Sequence, residues 1–196
     1  MNTVPKAVDT KKEYRLERLI DDVLTEEGPG YSDEISVLDS RSVWHTSFHR
    51  TPQLREIAEE VDDLLDDGYR SLELGSGPGG WTHNIALQPG SETALGIEIE
   101  PELVETSRAV KEKCIDDGIY GRSDAYFLQG DAADPQVGIE VFDVVYANFP
   151  KRDPMAEEYI EKISGTADEG TLVVAPDGGS PQKYLEPTGT EGLYRV

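Results

Sequence analysis

The chain has 196 residues, 37% of them hydrophobic, with 40 Asp and Glu against 18 Lys and Arg and a formal net charge of −22. This is enough chain for one domain with a real core. In dilute buffer the charge argues against nucleic acid as substrate, an argument that weakens in molar salt, where phosphate repulsion is screened too. The single cysteine, Cys114, excludes an intrachain disulfide, and no apolar run reaches the roughly 20 residues that span a bilayer.

The acids are spread along the chain (Asp21-Asp22, Asp62-Asp63, Asp66-Asp67, Asp116-Asp117, Glu157-Glu158) and read as solvated faces. At about 1 M salt the Debye length is roughly 3 Å, so self-repulsion of such a surface is screened. A halophilic protein is the expectation. Lys6, Lys11 and Lys12 are not followed by an apolar signal-peptide core, so the expected location is cytoplasmic.

Residues 1–50 read as an N-terminal helical extension. Leu16, Leu19, Ile20, Val23 and Leu24 recur at helical spacing, a stripe expected to pack on the core domain, and Gly28-Pro29-Gly30 stops it. The stretch Ile35 to Trp44 fits a short extended piece. Residues 51–196 form the main domain. Thr51-Pro52 opens a helix, with Thr as N-cap and Pro at the first helical position; Leu54, Ile57, Ala58, Val61 and Leu64 make its buried face, and Gly68 ends it.

Strands and helices then alternate. The pattern predicts strand 69–74, helix 81–88, strand 93–99, helix 101–115, strand 124–128, a short helical turn, strand 141–147, helix 154–164 and strand 171–175. Alternation of this kind implies an α/β fold of Rossmann-like, doubly wound type, a mainly parallel sheet with helices on both faces. Gln182 to Glu186 and Leu193 to Val196 suit a closing hairpin.

The most informative stretch is Leu72-Glu-Leu-Gly-Ser-Gly-Pro-Gly-Gly-Trp-Thr82. An apolar strand runs into Gly75, Gly77, Gly79 and Gly80, and a helix follows. Glycines there let the backbone turn sharply and approach a ligand with no Cβ in the way. This is a cofactor cradle at the carboxyl end of a first parallel strand. The run Gly75-Ser76-Gly77-Pro78-Gly79-Gly80 satisfies the dinucleotide pattern, with Glu98 about 20 residues onward for a ribose. Three acids favour S-adenosylmethionine over a dinucleotide. Glu73, at the strand end, is a buried carboxylate in need of a partner, which a cofactor with a cationic amino-acid end supplies. Glu98, at the tip of the second strand, suits two ribose hydroxyls. Asp131, ending the third, suits the adenine amino group.

In these residues the chain resembles the class I S-adenosylmethionine-dependent methyltransferases over roughly residues 51–185. The resemblance implies a cofactor site of Glu73, Gly75, Ser76, Gly77, Gly79, Trp81, Glu98, Ile99, Asp131 and Ala132, and a sheet that finishes with an antiparallel strand pair. Ile97-Glu-Ile-Glu-Pro-Glu-Leu-Val104, Gly130-Asp-Ala132 and Gly170-Thr-Leu-Val-Val-Ala-Pro176 are most similar to the protein-L-isoaspartate O-methyltransferases. That subfamily implies a protein or peptide carboxyl group as acceptor. Its Thr-x-Ser-x-Pro element has a loose counterpart in Thr46 and Ser47, the candidate acceptor-side hydroxyls.

The acceptor stays open between classes. Asn148-Phe149-Pro150, after the fourth strand, is also similar to the Asn-Pro-Pro-aromatic motif of amino-directed nucleic-acid methyltransferases, where the Asn orients a base amine. An RNA or DNA base, as in tRNA methyltransferases, is therefore the alternative; the same run also reads as a turn leaving the sheet. A non-catalytic cofactor-binding partner subunit is a third reading. His45 and His49 have i,i+4 spacing but no third ligand, so no metal is expected. His83 and Cys114 are read as buried structural residues.

Overall fold

A computed structural model describes residue 15 and residues 51–121, 124–133, 138–147, 156–175 and 180–196. Within them seven strands form one sheet: β1 Tyr69–Leu74, β2 Ser91–Glu98, β3 Ala125–Gln129, β4 Val144–Ala147, β5 Leu172–Val174, β6 Glu186–Pro187 and β7 Leu193–Arg195. Their order is β3-β2-β1-β4-β5-β7-β6. The first five pair in parallel, and β7 runs antiparallel to both β5 and β6. Four α-helices accompany them: α1 Thr51–Leu64, α2 Gly80–Ile85, α3 Pro101–Asp116 and α4 Ala156–Thr166.

The expected doubly wound α/β architecture is what the sheet shows. Alternate residues of a strand face opposite sides, and two separate cores result. On one face Tyr69, Ala94, Ala125, Phe127, Val144 and Tyr146 pack against the apolar sides of α1, α2 and α3. On the other, Leu72, Leu74, Ile97, Val145 and Val173 meet Ala156, Ile160 and Ile163 of α4, with Ile139 and Leu185. A strand covered on both sides needs no polar alternation; β4, Val-Val-Tyr-Ala, is buried at every position. The chain builds β1, β2 and β3 in one direction, then β4 returns to the other side of β1. In open α/β sheets such a reversal marks the end where ligands bind, which corresponds here to the carboxyl ends of β1 and β4.

Several boundaries moved. Helix α1 already includes Thr51, and Leu64 is 41% exposed, so Leu64 leaves the buried face that its spacing predicts. Strand β2 starts at Ser91 and stops at Glu98, leaving Ile99 outside. The predicted strand 141–147 starts only at Val144, because Ile139–Val141 forms a 3-10 turn. Pro181–Lys183 is likewise a 3-10 turn, so the closing hairpin begins at Glu186 instead of Gln182. Asp62 is more than a solvated acid: its Oδ1 accepts from the Tyr69 hydroxyl at 2.8 Å and from Gly90 N at 2.9 Å. It thereby ties the end of α1 to the starts of β1 and β2. No helix among the described residues is long and apolar enough to cross a membrane.

Candidate cofactor site

The loop between β1 and α2 turns on three left-handed glycines, Gly75 at φ 69°, Gly77 at φ 52° and Gly79 at φ 88°. The positions differ in their surroundings. A Cβ on Gly79 would lie 2.4 Å from Phe127 Cε1, inside the packed ring, whereas one on Gly77 would meet nothing within 4 Å. Gly79 is thus glycine for packing, whereas Gly77 is a buried residue with open space where its Cβ would stand. The loop is held from several sides. Ser76 N donates to Ile97 O at 2.9 Å and Gly79 N to Ser76 O at 2.8 Å. The neighbouring Gly96 also has no space for a Cβ, which would come 2.9 Å from Ser76 Cβ and from Phe127 Cδ1.

Glu98, buried at the carboxyl end of β2, reaches this loop. Its Oε2 accepts from Gly77 N at 2.7 Å and its Oε1 from Glu100 N at 3.0 Å. Each carboxylate oxygen has two acceptor sites, so both retain capacity for a hydroxyl. Ile99 follows directly and is 57% exposed, an apolar side chain bare beside the acid. After β3, the exposed Asp131 accepts from Ala133 N at 2.8 Å through Oδ1, closing a short turn, and Ala132 is half-buried.

Glu73 departs from its expectation. The carboxylate is buried, and the donors it needs come from within the chain: Thr82 Oγ1 at 2.7 Å, Thr82 N at 2.9 Å and Trp81 N at 3.3 Å. It caps the first turn of α2 and needs no cofactor cation as partner. Burial pushes its pKa up to about 7, against the opposing pull of the Thr82 hydroxyl and the Thr82 and Trp81 amides. The Trp81 ring lies beneath the loop. Its side chain is fully buried, donates Nε1–H to Ser71 Oγ at 2.9 Å and stacks on Tyr146 with centroids 5.1 Å apart. It is a core residue under the loop, and its ring does not line the cradle.

Ser107 is a residue that sequence reasoning passed over. It is fully buried on α3, and its hydroxyl lies 3.0 Å from Gly77 O and 2.9 Å from Leu103 O. The signal was present, since a serine stands in the apolar stripe Leu103, Val104, Val110, Cys114 of α3. His83 is fully buried in α2 and bonds Tyr120 Oη through Nδ1 at 2.6 Å. Burial holds its pKa down to about 3, so it is neutral. Burial also pushes the Cys114 thiol up to about 12, which leaves it inert. Thr46, Ser47 and Asn148, the candidate acceptor-side residues, lie outside the described residues, as do His45 and His49.

No protein-family model matches the sequence, and no characterised protein matches it at the sequence level. The likeness to known proteins is one of fold. A variant of MtNAS in complex with S-adenosylmethionine is similar at TM-score 0.50 and 18% identity, over 86% of this chain and 59% of that one. An amino pentose methyltransferase of Micromonospora echinaspora, bound to S-adenosylmethionine, gives TM-score 0.50 and 16% identity over 69% of this chain and 54% of that one. The YcgJ protein of Bacillus subtilis gives TM-score 0.50 and 16% identity over 66% and 50%. The chain therefore spans about half to six-tenths of the length of the structures it matches. What they share with it is the Rossmann-like α/β fold.

Proposed function

We propose that this chain is an S-adenosylmethionine-dependent methyltransferase whose acceptor is a protein carboxyl group of isoaspartyl type. The observation that carries the cofactor half is the joint geometry of Gly77 and Glu98. A left-handed glycine with open space where its Cβ would stand is hydrogen-bonded to a buried acid at the next strand's end, and that acid keeps acceptor capacity. A dinucleotide site shares these parts, but the usual dinucleotide sheet ends in a parallel sixth strand, order 3-2-1-4-5-6. Here the antiparallel β7 is inserted between β5 and β6, the ending that the methyltransferase resemblance implies. Two similar folds were crystallised with S-adenosylmethionine, which supports the same reading.

In this reading Gly75, Ser76, Gly77 and Gly79 form the floor of the cradle. Glu98 accepts the ribose hydroxyls, Ile99 and Ala132 flank the adenine, and Asp131 accepts its amino group. Glu73 and Ser107 position the loop without touching the ligand. S-adenosylmethionine, when bound, supplies a methyl group on a sulfonium, open to in-line displacement. A carboxylate acceptor needs no base, so the chain's task is to hold it collinear in a dry site. That task falls to Thr46, Ser47 and Asn148.

The test is incubation with methyl-labelled S-adenosylmethionine and an isoaspartyl peptide in molar KCl, chosen because the −22 charge fits a salt-screened, halophilic protein. Base-labile label in the peptide is the expected outcome. Cofactor binding in the same tube without peptide label removes the carboxyl acceptor and shifts the search to a base amine or a non-catalytic role. Absent cofactor binding removes the whole reading.

A further inference from the structure

The turn that follows β3 is held at both of its ends. At the leading end Gly130 N donates to Glu98 O at 2.9 Å, which ties the chain to the tip of β2. At the trailing end Lys162 of α4 donates from Nζ to Ala133 O at 3.0 Å, across 29 residues of sequence. Between them Asp131 Oδ1 accepts from Ala133 N at 2.8 Å. That bond is internal: it fixes the Asp131 carboxylate relative to the turn, whereas the outer two fix the turn relative to the sheet and to α4. Ala132 adds an apolar contact in the same place, packing on the core that Ile160 and Ile163 of α4 share with Leu74 and Ile97. The buried positions of α4 are Ala156, Ile160 and Ile163. Lys162 stands beside them, partly buried, and its three donors reach the main chain of the turn.

We infer that Lys162 is a positioning residue for the adenine end of the cradle, acting through the turn that carries Asp131 and Ala132; this rests on the methyltransferase reading above. A binding group is effective only within about 0.5 Å of its productive place. Asp131 is exposed, and its bond to Ala133 N moves with it, so its place is set by whatever holds the turn. Through Gly130 the turn is referred to the strand end that carries Glu98, and through Lys162 to α4. The acid assigned to the ribose and the acid assigned to adenine are thereby set on one frame. An ammonium suits this task, because a hydrogen bond from a charged donor is roughly twice as strong as a neutral one. In this assignment Lys162 touches neither cofactor nor acceptor, and its influence is confined to the contact that Asp131 makes. The role therefore shows as lost selectivity for the amino group of adenine, with affinity for the rest of the cofactor retained.

Calorimetry on the full-length chain in molar KCl tests it with two probes, S-adenosylmethionine and an analogue whose purine carries hydrogen at C6 in place of the amino group. The parent should bind S-adenosylmethionine a few-fold more tightly than the analogue. Lys162→Met keeps an unbranched side chain and removes its donors. It should weaken S-adenosylmethionine a few-fold, leave the analogue unchanged and so abolish the preference. Lys162→Arg, which keeps a charged donor, should retain it. Equal weakening of both probes by Lys162→Met would make Lys162 a structural residue only and overturns the inference. A preference absent from the parent, or intact in Lys162→Met, overturns it too. Amide exchange at Ala133 in the unliganded chain separates these failures from failure of the cofactor reading. Exchange several-fold faster in Lys162→Met than in the parent or Lys162→Arg is expected, and an unchanged rate overturns the inference whatever the chain binds. Faster exchange in a chain that binds neither probe removes the cofactor reading, and the adenine role of Lys162 falls with it.

Discussion

The carboxyl ends of β1 and β2 carry the same residue type, a buried glutamate, in two different employments. Glu73 spends its oxygens on Trp81 and Thr82, wholly inside the chain. Glu98 holds Gly77 and Glu100 by one amide each, beside a glycine whose side-chain position is open space. The first arrangement fixes the helix that follows the loop, and the second braces the loop itself with acceptor capacity to spare. Burial of a carboxylate therefore says little about its role until its donors are counted.

The same contrast runs through the glycines, and it gives the largest expected effect. Gly79→Ala places a Cβ 2.4 Å from the Phe127 ring at φ 88°. Left-handed backbone costs a non-glycine residue about 1–2 kcal/mol and overpacking about 1–3 kcal/mol. Urea denaturation should show a combined loss of about 2–5 kcal/mol. Gly77→Ala, with nothing within 4 Å, should cost only about 1 kcal/mol of stability while cofactor affinity falls sharply. If both variants lose stability alike and bind alike, the division of this loop into a packed half and an open half is wrong.

Glu98→Ala is next. Hydrogen bonds to a charged group contribute about 1.5–3 kcal/mol, so S-adenosylmethionine affinity measured by calorimetry should fall about 10- to 100-fold. Glu73→Ala should unfold α2 locally and weaken binding only through the displaced loop. Unchanged affinity in Glu98→Ala would move the ribose acid elsewhere.

These roles were unevenly legible in the sequence. The glycine turn was visible because its signal is local: glycines at a strand–helix junction. The order of elements followed from their alternation, and the closing strand pair was expected although its register was not. Glu73 was read as wanting an external partner because its actual donors, eight and nine residues on, depend on how α2 folds back over the strand. Trp81 looked like part of the mouth for the same reason. Its partners Ser71 and Tyr146 are set by strand packing, and Tyr146 lies on β4, far along the chain. Ser107 reads as an interruption of an apolar stripe until α3 is laid against Gly77.

The buried charge of Glu73 also has a pH signature. Its pKa is raised from 4.5 to about 7 in the folded chain, so the folded state binds the proton more tightly than the unfolded state does. The stability linked to this group is fully present below 4.5 and is lost as pH rises through about 7. Glu73→Gln, which cannot ionise, removes that dependence. The melting temperature of the parent, relative to the variant, should fall by a few degrees between these pH values and then run parallel. A flat difference would show the carboxylate to be better solvated than its surroundings indicate.

Asp131→Ala should have the smallest effect of the set, and its size separates two accounts of the site. Asp131 is exposed, and its one hydrogen bond among the described residues closes a local turn onto Ala133. Losing that bond costs stability about 0.5–1.5 kcal/mol at most, because the freed amide is beside solvent. A hydrogen bond from an adenine amino group to an exposed carboxylate competes with water on both partners, so binding should weaken only a few-fold. A cofactor with unsubstituted purine in place of adenine, carrying hydrogen at C6, removes the same amino group from the ligand side. If Asp131 accepts that group, the two losses will not add, because the variant has already lost what the analogue lacks. Additive losses would assign Asp131 to the turn alone and leave the adenine edge to the backbone of the same loop.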